Sequence, residues 1–141
     1  MKPTVLFPAL VAASLLILPA GGSAAENKAG LSSLQGAWIE QSMDCAQVFK
    51  PAKRGMAFRP DVSVFAPAMV VSGRRIATPG ATCTIQSISQ LSDRMTLNLG
   101  CTTTITTSPV KAYVSVAQDG SLVRYNNATD SVGSKYEACK P

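Results

Sequence analysis

The stretch from Thr82 to Cys101 limits the fold of this chain more than any other, because it has the pattern of a β-hairpin. A short polar turn near Ser92 separates two runs in which apolar and polar residues alternate. This period of two is typical of strands with one buried and one solvated face. On the second run the apolar positions are Met95, Leu97, Leu99 and Cys101.

The same hairpin predicts a disulfide. If its turn is centred on Ser92, Cys83 and Cys101 are equally far from the turn and become cross-strand partners. This register also predicts two apolar or mixed pairs, Ile85 with Leu99 and Ser87 with Leu97.

The chain has four cysteines and no histidine. An even number of cysteines in an exported chain favours disulfides. Three pairings are possible, and with Cys83 joined to Cys101 the remaining pair is Cys45 with Cys139. Zinc is the competing hypothesis, but structural zinc sites usually have short-spaced ligand pairs. We therefore predict two disulfides, no metal site and no cofactor.

The start of the chain has the pattern of a secretory signal peptide. Lys2 precedes an apolar run from Val5 to Leu18, and a tract of small residues follows. We expect residues 1–25 to be this signal and the mature protein to be periplasmic or secreted in a bacterium. No later apolar run has the length of a membrane span. Residues 26–33 are predicted to form a flexible N-terminal segment. Residues 34–141 have the length of one domain and are predicted to form a single β domain.

Short alternating runs separated by turn residues continue through the rest of the chain. Turn signals occur at Ser72-Gly73, Pro79-Gly80 and Asp119-Gly120. One short helix is predicted after the N-cap residue Asp44 and ends at Pro51. The sequence thus predicts an all-β domain, a small antiparallel β-barrel or barrel-like sandwich of six to eight strands with one short helix and two disulfides. The expected core includes Trp38, Ile85, Leu97, Leu99, Val114 and Val116.

The chain offers few groups for catalysis. Without histidine it lacks the commonest general base and every Ser-His or Cys-His pair. Glu40 and Asp44 are close in sequence and are candidates for acid–base chemistry of the glycosidase type. Because Asp44 already caps the predicted helix, a carboxylate-based enzyme is only the third hypothesis, and we expect a protein that is not an enzyme.

The densest positive charge follows the predicted helix. Its members are Lys50, Lys53, Arg54 and Arg59, and Arg74 with Arg75 forms a second group. These cations are candidates for binding an anionic envelope component or an acidic protein, and they are equally consistent with a solvated surface. Nucleic acid is not an expected partner, because aromatic residues are few and no binding motif is present.

The tripeptide Gly36-Ala37-Trp38 resembles the G-x-W motif that opens the first strand of lipocalin-like barrels. The resemblance implies that Trp38 closes one end of a barrel and that an arginine from a late strand, here Arg124, packs over it. The general layout is also similar to that of periplasmic protease inhibitors of the Inh family. That similarity implies a flexible N-terminal arm that enters a protease cleft.

Together these observations predict a monomeric, non-enzymatic binding module whose ligand or protein partner the sequence does not identify. The alternative is an inhibitor of an extracytoplasmic hydrolase, either a protease or a lysozyme. In that case residues 26–33 and the cationic segment around Arg54 would make the contacts.

Overall fold

The computed structural model describes residues 30–141, so the predicted signal peptide and residues 26–29 of the predicted N-terminal segment lie outside the described residues. The described chain forms two short helices and ten strands. Their bounds are α1, residues 30–33; β1, Gly36–Glu40; α2, Cys45–Val48; β2, Phe49–Pro51; β3, Met56–Phe58; β4, Ala68–Ser72; β5, Arg75–Ala77; β6, Thr82–Leu91; β7, Arg94–Thr102; β8, Thr107–Val116; β9, Leu122–Tyr125; and β10, Ser134–Cys139.

Eight of these strands form one closed antiparallel barrel. The order around the barrel is β1-β10-β9-β8-β7-β6-β5-β4, while β2 and β3 pair only with each other. The predicted all-β antiparallel fold is therefore confirmed, and of the two predicted architectures the barrel is the one that forms. Closure pairs both edges of every strand of the sheet, which removes the exposed edges that an open sheet would present.

The central hairpin is formed by β6 and β7. Cys83 lies opposite Cys101 and Ile85 lies opposite Leu99, as the alternating pattern predicts. The turn residue Ser92 has a φ of 58°, a left-handed conformation that a tight hairpin turn commonly requires. The period of two and the two cysteines thus set this half of the register.

The register changes beyond Ile85, and the predicted pairing of Ser87 with Leu97 is wrong. A β-bulge inserts one residue into β6, so that Ser87 pairs with Asn98 and Ile88 pairs with Leu97. The extra residue reverses the phase of the strand. As a result Ile88 is buried in the barrel and Ser87 is exposed.

Arg74 holds this bulge in place. Its guanidinium donates from Nε to the Ile85 carbonyl at 2.9 Å and from Nη2 to the Gln86 carbonyl at 2.8 Å. The Ile85 amide in turn donates to the Arg74 carbonyl at 2.7 Å. One member of the second basic group therefore has a structural role, since it binds two backbone carbonyls at the bulge.

The interior of the barrel contains most of the predicted core. Trp38, Ile85, Leu97, Leu99 and Val114 are buried there. Val116 is not buried, since 38% of its surface is exposed. It is the last residue of β8. Its phase along the strand matches that of Val114, but the barrel offers no cover at that end of the strand.

The helix α1 closes one end of the barrel. Leu34, which follows the helix, is 2% exposed, and Leu31 packs against the same interior cluster. A Cβ atom on Gly30 would lie 3.0 Å from Sδ of Met95, so the helix approaches the β6–β7 end closely. Trp38 fixes this arrangement, because its Nε1 donates a buried hydrogen bond of 2.8 Å to the Leu34 carbonyl.

This helix corrects two expectations. Residues 30–141 contain two short helices and not one, and residues 30–33, the end of the segment predicted to be flexible, form a helical turn. The signal for it was the spacing of Leu31 and Leu34, which are three residues apart and so lie on one face of a helix.

A second apolar layer lies outside the barrel. Residues 41–67, which we call the excursion, leave β1 and return to β4, and they cover the outer face of these strands. The buried members of this layer are Ala37, Ile39, Val48, Phe49, Ala68 and Cys139. Inside the excursion the aromatic rings of Phe49 and Phe58 stack with centroids 5.2 Å apart.

The helix α2 starts as predicted but ends earlier. The Asp44 carboxylate accepts a hydrogen bond of 2.8 Å from the Ala46 amide, which confirms the N-cap. The helix stops at Val48, because the next three residues pair with Met56–Phe58 in a small hairpin. The end predicted at Pro51 is therefore wrong.

The two predicted disulfides are present. Cys83 and Cys101 join β6 to β7 with their Cα atoms 4.0 Å apart. Cys45 and Cys139 join the excursion to β10 with Cα atoms 5.8 Å apart. The first bridge lies in the barrel wall, and the second fastens the outer layer to the barrel.

Replacing Cys45 and Cys139 with alanine should lower the free energy of unfolding more than replacing Cys83 and Cys101 with alanine. The sequence separations are 94 and 18 residues, for which chain entropy gives about 4.7 and about 3 kcal/mol. Urea unfolding of the two double variants beside the parent protein measures the difference. An equal loss, or a larger loss for the short loop, would contradict this account.

Candidate functional site

The barrel encloses a cavity of about 210 Å³. Leu34 forms its floor at the end closed by α1, and Ala66, Pro67 and Thr78 line it near the other end, where the loops before β4 and after β5 lie. We call this second end the mouth. The walls between floor and mouth are mainly aliphatic and include Val71, Ile76, Leu97, Leu99, Val114 and Leu122.

Three residues with polar side-chain groups line the cavity, namely Thr78, Arg124 and Tyr136. The Thr78 hydroxyl is already engaged, because it accepts a hydrogen bond of 3.0 Å from the Ala81 amide. The other two side chains have no hydrogen-bond partner among residues 30–141. A few unengaged polar groups in an apolar cavity are the usual composition of a small-molecule site.

Arg124 is the charged residue of the cavity lining. It is two residues after Leu122, which is completely buried, so alternation along β9 turns both side chains toward the barrel interior. Arg124 itself is exposed, which places it at the mouth. Within the described chain no carboxylate forms an ion pair with it.

No cation–π contact joins Arg124 to Trp38 among residues 30–141, and the packing of the one on the other stays a prediction. Trp38 bonds to the Leu34 carbonyl at the closed end, whereas Arg124 lines the cavity. The cation–π contact found in residues 30–141 joins Arg94 to Tyr125, with 3.6 Å between the guanidinium carbon and the ring centroid. Arg124 is therefore available for another role.

Exposed apolar side chains lie on the loops around the mouth. Phe65 is 90% exposed in the loop before β4, and Ile105 is 91% exposed in the β7–β8 turn. The loop of Phe65 contacts the β5–β6 connection, since a Cβ on Gly80 would lie 3.1 Å from the Val64 carbonyl. Residues 62–67, 78–81 and 103–106 contain no charged side chain. These three loops thus form an uncharged, partly apolar part of the rim, beside the charged Arg124.

The predicted basic set lies elsewhere, on the excursion. Lys50, Lys53 and Arg54 are exposed on the β2–β3 hairpin, which we call the basic hairpin. Arg59 is engaged locally, because its guanidinium lies 3.5 Å from the Ala46 carbonyl and 3.9 Å from the Asp61 carboxylate. None of the four lines the cavity.

Arg75 extends the positive surface of the basic hairpin. It lines a shallow groove together with Met56 and Ala57 of β3. The second basic group is therefore divided, with Arg74 holding the bulge and Arg75 beside the hairpin.

The candidate acids have structural partners. The Glu40 carboxylate accepts from the Ser42 amide at 3.1 Å and from the Ser42 hydroxyl, and Asp44 caps α2. Neither is among the residues that line the cavity. In the part of the chain that the structure describes, no cluster of three or more histidine, cysteine, aspartate or glutamate residues could hold a metal ion.

An ion pair with shifted pKa values lies away from the cavity. Lys135 Nζ donates to Asp119 Oδ2 at 2.7 Å, and the Ser121 amide donates to the same carboxylate. These hydrogen bonds lower the pKa of Asp119 below its usual range, and the carboxylate raises the pKa of Lys135. Both groups are solvated, so the pair fastens the β8–β9 turn to β10 without forming a reactive site.

Comparisons of the chain with protein-family models, with curated proteins and with solved structures found no match. No helix among residues 30–141 is long and apolar enough to span a membrane.

If the basic hairpin binds anionic partners, the double variant Lys53→Ser and Arg54→Ser should release anionic phospholipid vesicles at lower salt than the parent protein. The reason is that exposed charges are screened over roughly 8 to 10 Å at physiological ionic strength. Co-sedimentation across a salt series measures the release. The control double variant Lys111→Ser and Lys140→Ser removes the same charge elsewhere, and equal behaviour of the two variants would show that only net charge matters.

Proposed function

We propose that this protein is an exported, non-enzymatic β-barrel that binds a small apolar ligand in its cavity. The observation that carries the proposal is the cavity of about 210 Å³, which has aliphatic walls, one closed end and one open mouth. Eight-stranded barrels have interiors that are either filled by side chains or hold one small ligand. Here the interior is not filled.

The size of the cavity limits the ligand. An engineered cavity of about 150 Å³ in another protein binds benzene, which has six heavy atoms. By the same ratio a cavity of about 210 Å³ accommodates roughly eight or nine heavy atoms. The ligand is therefore expected to be a short aliphatic chain or a single substituted ring, unless part of it projects beyond the mouth.

Binding without catalysis is supported by the lining. Among residues 30–141 no acid lines the cavity, and the chain has no histidine. Histidine, glutamate and aspartate are common general acids and bases, and they must lie within hydrogen-bond reach of the reacting group.

Export is supported by the signal-like residues 1–25 together with the two disulfides. Disulfides form and persist mainly in oxidising compartments, such as the bacterial periplasm and the extracellular space. The proposal therefore places the mature protein in the periplasm or outside the cell.

The alternative of a hydrolase inhibitor receives less support. It relied on a free N-terminal arm at residues 26–33, but residues 30–33 form α1, and Leu31 packs against the interior cluster. Residues 26–29 of the predicted arm lie outside the described residues. The apolar cavity has no part in an arm-based mechanism, so it favours ligand binding.

Filling the cavity should abolish binding. We expect a series of linear alcohols to bind the parent protein with an affinity that is highest near eight carbons. Val114→Phe, which adds bulk to the wall, should weaken the binding of the tightest-binding alcohol by at least tenfold. Val116→Phe is the matched control, because it makes the same change on the same strand at a residue that does not line the cavity.

Isothermal titration calorimetry measures the affinities, and near-ultraviolet circular dichroism shows whether each variant keeps its packing. A folded Val114→Phe variant that binds as tightly as the parent would place the ligand elsewhere and would contradict the proposal.

A further inference from the structure

We infer that the ligand carries a carboxylate at its polar end and that Arg124 and Tyr136 bind this group. The inference depends on the proposed function, because it names the chemical class of the molecule that occupies the same cavity. The class is a monocarboxylate with a short apolar tail.

Arg124 supplies the charge. It is a permanently charged group in a lining that is otherwise apolar or neutral, and no acid within the described residues is paired with it. A cation at the mouth favours a ligand with an anionic end and disfavours an ammonium. The guanidinium also matches the two oxygens of a carboxylate in a bidentate arrangement.

Tyr136 supplies a second donor. The residue is only 5% exposed and packs in the interior cluster. Its hydroxyl has no hydrogen-bond partner among residues 30–141, yet no fully enclosed side-chain oxygen or nitrogen in these residues lacks a partner. The hydroxyl must therefore reach open space, and the open space that Tyr136 lines is the cavity.

The two side chains are close enough to act on one group. Tyr136 on β10 pairs with Leu122 on β9, and Arg124 is the next inward residue of β9. Diagonal neighbours of this kind are about 7 to 8 Å apart at the backbone, which is within reach of long side chains. A carboxylate between them would accept from the guanidinium and from the phenol, while its tail would extend along the aliphatic wall.

The number of donors favours a carboxylate over a phosphate. One guanidinium balances a single negative charge, and the other described cations near β9 do not line the cavity. A phosphate dianion would leave one charge unbalanced beside apolar walls, which is unfavourable.

The test compares octanoate with 1-octanol, which have similar tails and differ in charge. At pH 7 the parent protein should bind octanoate about tenfold more tightly than octanol. Arg124→Gln should remove this preference, because it should lower the affinity for octanoate about tenfold and change the affinity for octanol by less than twofold. Tyr136→Phe, which deletes only the hydroxyl, should weaken octanoate about threefold. Titration calorimetry gives each affinity.

Lys111→Gln is the matched control. Lys111 is exposed on β8 between two cavity-lining residues, so this variant loses the same charge from the outer face of the wall. It should bind octanoate like the parent. If Lys111→Gln and Arg124→Gln lose affinity equally, a general field and not a contact explains the preference, and the inference is overturned.

The remaining outcomes separate the two proposals. If octanol binds the parent as tightly as octanoate, and Arg124→Gln changes neither, the cavity binds apolar ligands but the carboxylate inference is wrong. If neither probe binds the folded parent protein, the cavity function itself is refuted. Thermal unfolding of each variant checks that it is folded.

Discussion

Strand β1 is the element on which the rest of the structure depends, because it closes the barrel and belongs to both apolar layers. It pairs with β10 on one side and with β4 on the other, so its hydrogen bonds complete the ring. Trp38 faces the interior cluster, while Ala37 and Ile39 face the outer layer. A strand that is apolar on both faces and paired on both edges is stable only when both layers are present. The excursion is therefore part of the folded unit, and the Cys45–Cys139 disulfide fastens the layer that covers β1.

The cavity follows from this closure combined with small side chains on the inner wall. On the neighbouring strands β7 and β8 the large Leu97 lies beside the small Ala112, and Ala66 lies near the mouth. Side chains of this size do not meet at the centre of an eight-stranded barrel, whereas larger ones would fill it. The other end is closed by Leu34, which Trp38 holds through its indole hydrogen bond. A cavity with one closed end and one open end thus results from residue sizes at a few positions and from one short helix.

The sequence predicted the parts of the fold that depend on local pattern and missed those that depend on distant contacts. Alternation and the cysteines gave the first half of the central hairpin correctly. The bulge after Ile85 was missed because it is held by Arg74, a residue of another hairpin whose position the alternating pattern does not show. The inward phase of Arg124 could have been predicted from Leu122. The unfilled cavity that Arg124 lines could not have been predicted in this way. Its prediction requires the strand order around the barrel and the sizes of residues on strands that are far apart in sequence.

In the protein without ligand, Arg124 and Tyr136 differ in how they affect the free energy of folding. Arg124 is at the mouth and exposed, so its charge stays hydrated and requires no partner for the fold to be stable. Tyr136 is buried, and packing alone would be served equally well by phenylalanine, whose ring is the same size and has no donor to satisfy. A hydroxyl that lines an apolar cavity and has no hydrogen-bond partner among residues 30–141 adds nothing evident to the fold. Departures of this kind from simple core packing are expected at functional positions. For this reason we interpret Arg124 and Tyr136 as a binding site and not as part of the barrel's framework.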